Sequence, residues 1–343
     1  MTAEGAPSGQ GPTRQVIDDL LRAAVAAPSM HNTQPWRFRI RDASHTIELR
    51  ADPARTLPFG DPHGRAARIA CGAALFNLCV AAAVAGLEPD IRLLPDPGQP
   101  LLLAEISLGG RHRATPSERE LHAAIPRRQT NREPFSSRAV PPGAQADLAE
   151  AASLEGGILH FLDRDEAVRV LRLAADAERG LLADPAYRAE LARWAGGQRD
   201  RDGIPGSALG PSAPESLAPV RDFTPGGRPK PVRYAWFEEH PQLAVLSVRS
   251  GDRRDLLRAG QALQRVLLTA THLGISACPL TQSLETADAW QVRDPRSGPE
   301  QPQMILRIGY GLPIPPGAPR RPLADVLDRS PADEERSQDR EHP

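Results

Sequence analysis

GAALFNLCVAAAVAGL, residues 72–87, and GQALQRVLLTATHLGI, residues 260–275, lie one over the other without a gap. At a constant offset of 188, Gly72, Ala74, Leu75, Ala82 and Gly86 meet Gly260, Ala262, Leu263, Ala270 and Gly274. Leu78, Val80 and Leu87 meet Val266, Leu268 and Ile275 as conservative pairs. An internal repeat decides the architecture, so it is tested first. Both runs read as helices, and Gly86 and Gly274 suit the position where a helix ends in a left-handed residue. Each is followed, after a connector, by a strand-like run: PLLLAEISLGG at 100–110 and PQMILRIGYG at 302–311. The pattern predicts an α+β chain duplicated within itself, packed around central helices at 65–86 and 253–274.

Working outward, each half needs a preceding helix and strand. VIDDLLRAAVAAPSMHNTQPWRFRI supplies them in the first half, and QADLAEAASLEGGILHFLDRD, 145–165, in the second. The polar turn between Ala27 and Trp36 has no counterpart in the second half. Conversely, the second half opens with IPRRQTNREPF, 125–135, and the first has only Arg14 in a comparable place. Two unlike half-sites, one from each repeat, make one complete site and leave a second site missing.

The chain resembles the nitroreductase superfamily of flavin mononucleotide (FMN) proteins over most of residues 14–328. The resemblance rests on APSMHNTQPWRF, RRQTNREPF, the glycine-bounded helix with ACPLTQ after it, and ILRIGYGLPIPPGAPRRPLADVL. Family members are usually homodimers with two FMN sites at the interface, each joining one subunit's Pro-Ser loop to the other's Arg motif. This chain looks like two such subunits fused, as in the Acg-type branch. The resemblance therefore implies a nitroreductase-like αβα fold, an internal pseudo-dimer, and one FMN per chain.

That resemblance also assigns positions. Arg128 and Thr130 would meet the phosphate and ribityl end, because a guanidinium fork suits phosphate oxygens. Arg132 would sit by the N1/C2 carbonyl edge, where charge gathers on reduction. Ser29 and Asn32 would contact the ring edge, with Pro28 shaping the approach and Gln34 next in line, since amides and hydroxyls both donate and accept. His31 reads as structural, and Trp36 and Phe38 as the start of a buried strand. Arg320 or Arg321 would complete the phosphate clamp. Pro279, Leu280 and Thr281 occupy the place where family members lay backbone amides against flavin N5. Many members carry an acidic residue where this chain has Thr281. The chemistry is expected on the flavin, with no catalytic side chain and no metal.

Residues 196–232 contain seven glycines and seven prolines, which suits neither a helix nor a paired strand. So long a loop reads as a lid, with GIPGSALG, 203–210, touching the flavin and the run at 184–196 as its hinge helix. An open face permits NAD(P)H to reduce the flavin and a nitro- or quinone-type acceptor to reoxidise it. A closed face makes the protein an FMN store. A third reading is a redox-inert domain holding another anion. No GxGxxG fingerprint follows a strand, so NAD(P)H would dock transiently on the flavin. No Ser/His/Asp order suggests a hydrolase.

The remaining bounds are broad. At 343 residues with 40% hydrophobic and 25% charged side chains, the composition is that of a globular protein. The formal net charge of −1 argues against nucleic acid or an anionic membrane as partner. Lys230 is the only lysine among 42 basic residues, so isolated arginine pairs carry less weight. Cys71, Cys79 and Cys278 form no metal or redox spacing and imply free thiols in the cytoplasm. The run 69–87 has nearly the length of a membrane span, but its partner helix carries Arg265 and His272, and a buried central helix is the expectation. The expected organisation is a flexible tail at 1–13, halves at 14–124 and 125–328, a disordered tail at 329–343, and a monomer.

Overall fold

Thr13 opens the first element: its hydroxyl accepts from the Val16 amide and caps α1 (Arg14–Val25). Ile17, Leu20, Leu21 and Ala24 recur at helical spacing and are buried, which fixes the inward face of α1. The computed structural model describes residues 11–41, 44–212, 220, 221, 223, 233–285, 300–314 and 317–328. Residues 1–10 of the expected tail at 1–13, the expected tail at 329–343, and residues 213–219, 222 and 224–232 of the expected lid lie outside these.

The first half continues with β1 (Trp36–Arg41), β2 (Thr46–Ala51), α2 (Arg65–Val84), β3 (Glu88–Leu93) and β4 (Leu102–Gly109). After α3 (Pro116–Ala124), the second half repeats the plan with α4 (Pro142–Ser153), β5 (Ile158–Phe161), β6 (Gln242–Val248), α7 (Arg253–His272), β7 (Ser276–Leu280) and β8 (Gln301–Gly309). The sheets run β1-β2-β4-β3 and β5-β6-β8-β7, antiparallel throughout, so the second reproduces the strand order of the first. The connectors after the central helices hold β3 and β7, and β2 and β6 fill the middle of each sheet. The sequence pattern predicts none of these four strands.

The paired glycines mark where the halves meet. A Cβ on Gly72 would lie 2.1 Å from the Leu257 carbonyl oxygen, and one on Gly260 would lie 2.0 Å from that of Ile69. No side chain fits there, and the backbones of α2 and α7 touch. Gly86 and Gly274 have φ of 83° and 70° and end the two helices as expected. In both, the following amide, Leu87 or Ile275, bonds back to the carbonyl of Ala82 or Ala270. The apolar stretch of α2 is 78% buried, against α1 and α7.

Between β5 and β6 the second half inserts α5 (Arg164–Ala183) and α6 (Pro185–Trp194), which carry the glycine- and proline-rich excursion. A short 3-10 turn, Gly206–Ala208, interrupts that excursion. At its far end the chain returns through α8 (Leu323–Val326), and Leu327 bridges Phe38 on β1 in parallel. The tail of the second half is thus tied to the edge strand of the first.

Candidate functional site

The turn after α1 is held in an unusual backbone. His31, Asn32 and Gln34 have φ of 50°, 56° and 53°, a region that costs non-glycine residues on the order of 1 kcal/mol or more each. Surrounding bonds hold it there. Ser29 Oγ accepts from the Gln34 amide at 2.9 Å, and the Asn32 amide donates to the carbonyls of Gly203 and Pro319, both at 2.9 Å. Gln34 is fully buried, donates to Arg201 O and accepts from Arg321 N, each at 2.8 Å.

This turn faces a cavity of about 430 Å³ between the halves. Pro28, Ser29 and Asn32 line it from the first half, and Arg128, Thr130 and Arg132 from the second. Asn32 and Arg128 therefore share one cleft, as the sequence required. Ile204, Ser207, Ala208 and Gly210 of the excursion form a further wall. Thr130 bridges Ala277, which lays the arginine segment along the edge of β7. Asn131 anchors it further, donating to Ser276 Oγ and Leu312 O and accepting from the Glu133 amide. Behind it Arg307, fully buried, forks onto Glu238 and donates to Glu133 O, while Glu238 accepts from the Phe135 amide.

Arg128 is the anomaly. It is 8% exposed, its Nε has no partner, and its guanidinium makes no hydrogen bond or ion pair among the described residues. Burial, reinforced by the nearby Arg320 charge, pulls its pKa down to about 9. An unpaired buried cation is costly, and one at the wall of a cavity is a ready partner for an anion. Arg320 lines the same cavity but its donors are occupied. It caps the end of α1 through Val25, Ala26 and Ala27 carbonyls at 2.8, 3.1 and 3.2 Å, and donates to Asn32 Oδ1 at 3.2 Å.

A smaller space of about 100 Å³ adjoins the first and shares Pro28, Ser29, Thr130 and Arg132 with it. Pro279 and Thr281 line it, with Ala66 and Ala70 of α2 and Leu263 of α7. Arg221 and Phe223 of the excursion close it. Arg221 is buried and pairs with Glu285 at 2.6 Å; burial lowers its pKa, and the Glu285 carboxylate more than reverses this. Thr281 Oγ1 donates to the same carboxylate at 2.5 Å. Arg132 donates to Ala208 O at 2.9 Å and stacks over Phe223 at 4.9 Å, so the excursion and the arginine segment are clasped together.

Two expected positions lie elsewhere, Gln34 and Arg321. Gln34 lines neither cavity, because its amide is consumed in tying the turn to residues 201 and 321. Leu280, expected to offer its backbone amide, turns its side chain into the core beside β6 and β8, between Pro279 and Thr281 at the smaller space. Arg321 is buried against Asp52 at 3.3 Å and faces neither cavity, so of the two candidate arginines Arg320 is the one at the cleft. The sequence pattern did not single out Asn131, Arg221, Phe223, Glu285, Glu238 or Arg307. Of these only Asn131 carries a signal, standing inside RRQTNR. No cluster of metal-ligating side chains occurs among the described residues.

Across the repeat the corresponding positions differ. The offset of 188 puts Arg254 and Arg258 where the first site has Ala66 and Ala70, and Leu93 where it has Thr281. Arg254 and Arg258 are exposed, and Arg254 donates to Leu93 O at 3.1 Å.

The family model described as "Nitroreductase family" matches residues 125–310. Two Mycobacterium tuberculosis relatives, both provisionally named NAD(P)H nitroreductases, are similar along nearly the whole length. Rv3131 is 36% identical over 329 residues, 92% of each chain. Acg is 34% identical over 328 residues, 92% of this chain and 96% of its own. Among solved structures, the FMN-dependent nitroreductase NfnB of Mycobacterium smegmatis in complex with NADPH is 15% identical with a TM-score of 0.38, covering 62% of this chain and 98% of that one.

Proposed function

The chain belongs to the nitroreductase family, and on that premise we propose that it holds one FMN between its halves and passes electrons from NAD(P)H to small nitro- or quinone-type acceptors. The observation that carries this is Arg128, buried and unpaired at the wall of a cavity of about 430 Å³, within the size range of cofactor sites. When bound, FMN supplies the hydride chemistry; the protein supplies placement and charge. Arg128 would take the phosphate, with Thr130 beside it and Arg320 lending positive charge while it braces the turn. Arg132 would favour negative charge at the carbonyl edge of the ring. Ser29 and Pro28 would define one face, and the 279–281 segment the other. The single occurrence of the polar turn and of the arginine segment supports a single flavin per chain, and the repeated strand order supports halves at 14–124 and 125–328 acting as a monomeric pseudo-dimer.

A second reading draws on the excursion. Ala208 is bonded to Arg132, and Arg221 is buried against Glu285, so Ile204, Ser207, Ala208, Gly210, Arg221 and Phe223 stand between the cleft and large partners. A protein closed in this way stores FMN with little turnover. Excess NADPH added anaerobically to the holoprotein separates the two. Prompt loss of the flavin band near ~450 nm supports the oxidoreductase. A band that persists with NADPH and vanishes with dithionite supports the store. Two flavins per chain would contradict the single-site reading.

A further inference from the structure

The turn that carries Ser29 and Asn32 also carries His31, which the sequence assigned no contact with a ligand. It is 4% exposed and lines the smaller cavity. Its Nε2 lies 3.2 Å from Arg221 Nη1. A guanidinium only donates, so Nε2 is the acceptor, and in the neutral ring the proton sits on Nδ1. Burial, then the charges of Arg221 and Arg132, hold the pKa well below its ordinary value and keep the ring neutral. Phe223 meets the ring edge-on at 5.9 Å. Nδ1 itself is buried without a partner among the described residues.

A buried N–H with no acceptor carries a cost that a folded protein ordinarily removes. Here it persists beside a cavity whose other walls include Met30, Ile69, Leu263, Met304 and Phe223. The space, about 100 Å³, is of the same order as the ~150 Å³ apolar cavity that admits one benzene ring. The left-handed φ of 50° at His31 adds to the evidence of a constrained position.

We propose that His31 is a fixed hydrogen-bond donor, through Nδ1–H, to an acceptor atom on a planar ring seated in the smaller cavity. Arg221 sets the tautomer, so the excursion that closes the cavity also arms the donor. Because the ring is neutral and its other nitrogen is engaged, His31 donates a hydrogen bond and keeps its proton. The recognised chemistry is a flat, largely apolar ring with a carbonyl, nitro or ring-nitrogen acceptor. It is carried either by the flavin itself, which rests on the reading above, or by a separate single-ring molecule, which does not.

The test compares native protein with His31→Leu, which removes the donor, and His31→Asn, which keeps an N–H near the Nδ1 position and tolerates positive φ. His31→Gly, free of strain at this φ, serves should the leucine variant not fold. Flavin-free protein is titrated calorimetrically with FMN, and both flavin-free and flavin-loaded protein with benzamide, a redox-inert ring bearing a carbonyl. A loss of about tenfold or more in FMN affinity for the leucine or glycine variant, with asparagine within about twofold of native, assigns the donor to the flavin ring. The same pattern for benzamide alone assigns it to a separate ligand. If both donor-less variants stay within twofold of native in every titration, the proposal is wrong. Native protein that takes up benzamide but no FMN overturns the flavin reading while leaving His31 to be judged on the benzamide arm.

Discussion

Replacing Arg128 by methionine should make the ligand-free protein harder to unfold while crippling its affinity for FMN. The side chain is buried and unpaired, and its pKa falls to about 9. Measured from the ordinary value for a guanidinium, that drop sets a ceiling of roughly 5 kcal/mol on what the charge costs the fold. Methionine keeps the packing of the stem and removes the charge, so a net gain of about 1–3 kcal/mol is expected. The sign follows from linkage. A cation whose folded pKa is depressed penalises folding fully below that pKa, and the penalty fades as pH climbs from about 9 toward the unfolded value. The advantage of the variant should therefore be complete at pH 7 and shrink in alkali. FMN affinity should fall roughly 10- to 150-fold, the equivalent of losing a charge-assisted bond of ~1.5–3 kcal/mol. Urea denaturation across pH measures the first effect and fluorescence titration with FMN the second. A variant less stable than native at pH 7, together with unchanged FMN affinity, would refute both the idle charge and the anion it awaits.

Other outcomes are equally specific. Glu285→Gln removes the buried partner of Arg221 and leaves an uncompensated cation, so stability should drop by about 3–5 kcal/mol. The excursion should also become the first segment cut by protease, seen by mass spectrometry of limited digests. Gly72→Ala drives a methyl to 2.1 Å from a carbonyl oxygen of α7 and should cost at least ~1–3 kcal/mol in urea unfolding. Gly109→Ala meets nothing within 4 Å and should stay near neutral. Burial raises the thiol pKa of Cys71, Cys79 and Cys278, that of Cys79 to about 12, so native protein at pH 8 should leave a disulfide reagent unreacted until it is unfolded.

What the sequence disclosed follows from what repeats and what does not. The glycines at 72 and 260 were legible because a backbone contact tolerates no other residue, and such constraints survive divergence. The RRQTNR segment and the 28–34 turn were legible because their polar density is unusual between apolar elements. Gln34 and Arg321 misled for the same reason: a polar side chain at a cleft and one that braces the cleft look alike in one dimension. Arg221, Glu285, Glu238 and Arg307 gave no signal, since each acquires its role only from a partner tens of residues away. Strands β2, β3, β6 and β7 escaped notice because, beside long apolar helices, short segments with mixed burial carry weak periodicity.

The glycine-to-glycine contact between α2 and α7 joins surfaces that belong to one polypeptide. In a pair of identical subunits every substitution is written twice, so a change that blocks one pocket blocks both. Here Arg254 and Arg258 stand exposed on one side while Ala66 and Ala70 line a cavity on the other. The same continuity means that dilution cannot separate these two halves, because the peptide chain joins them.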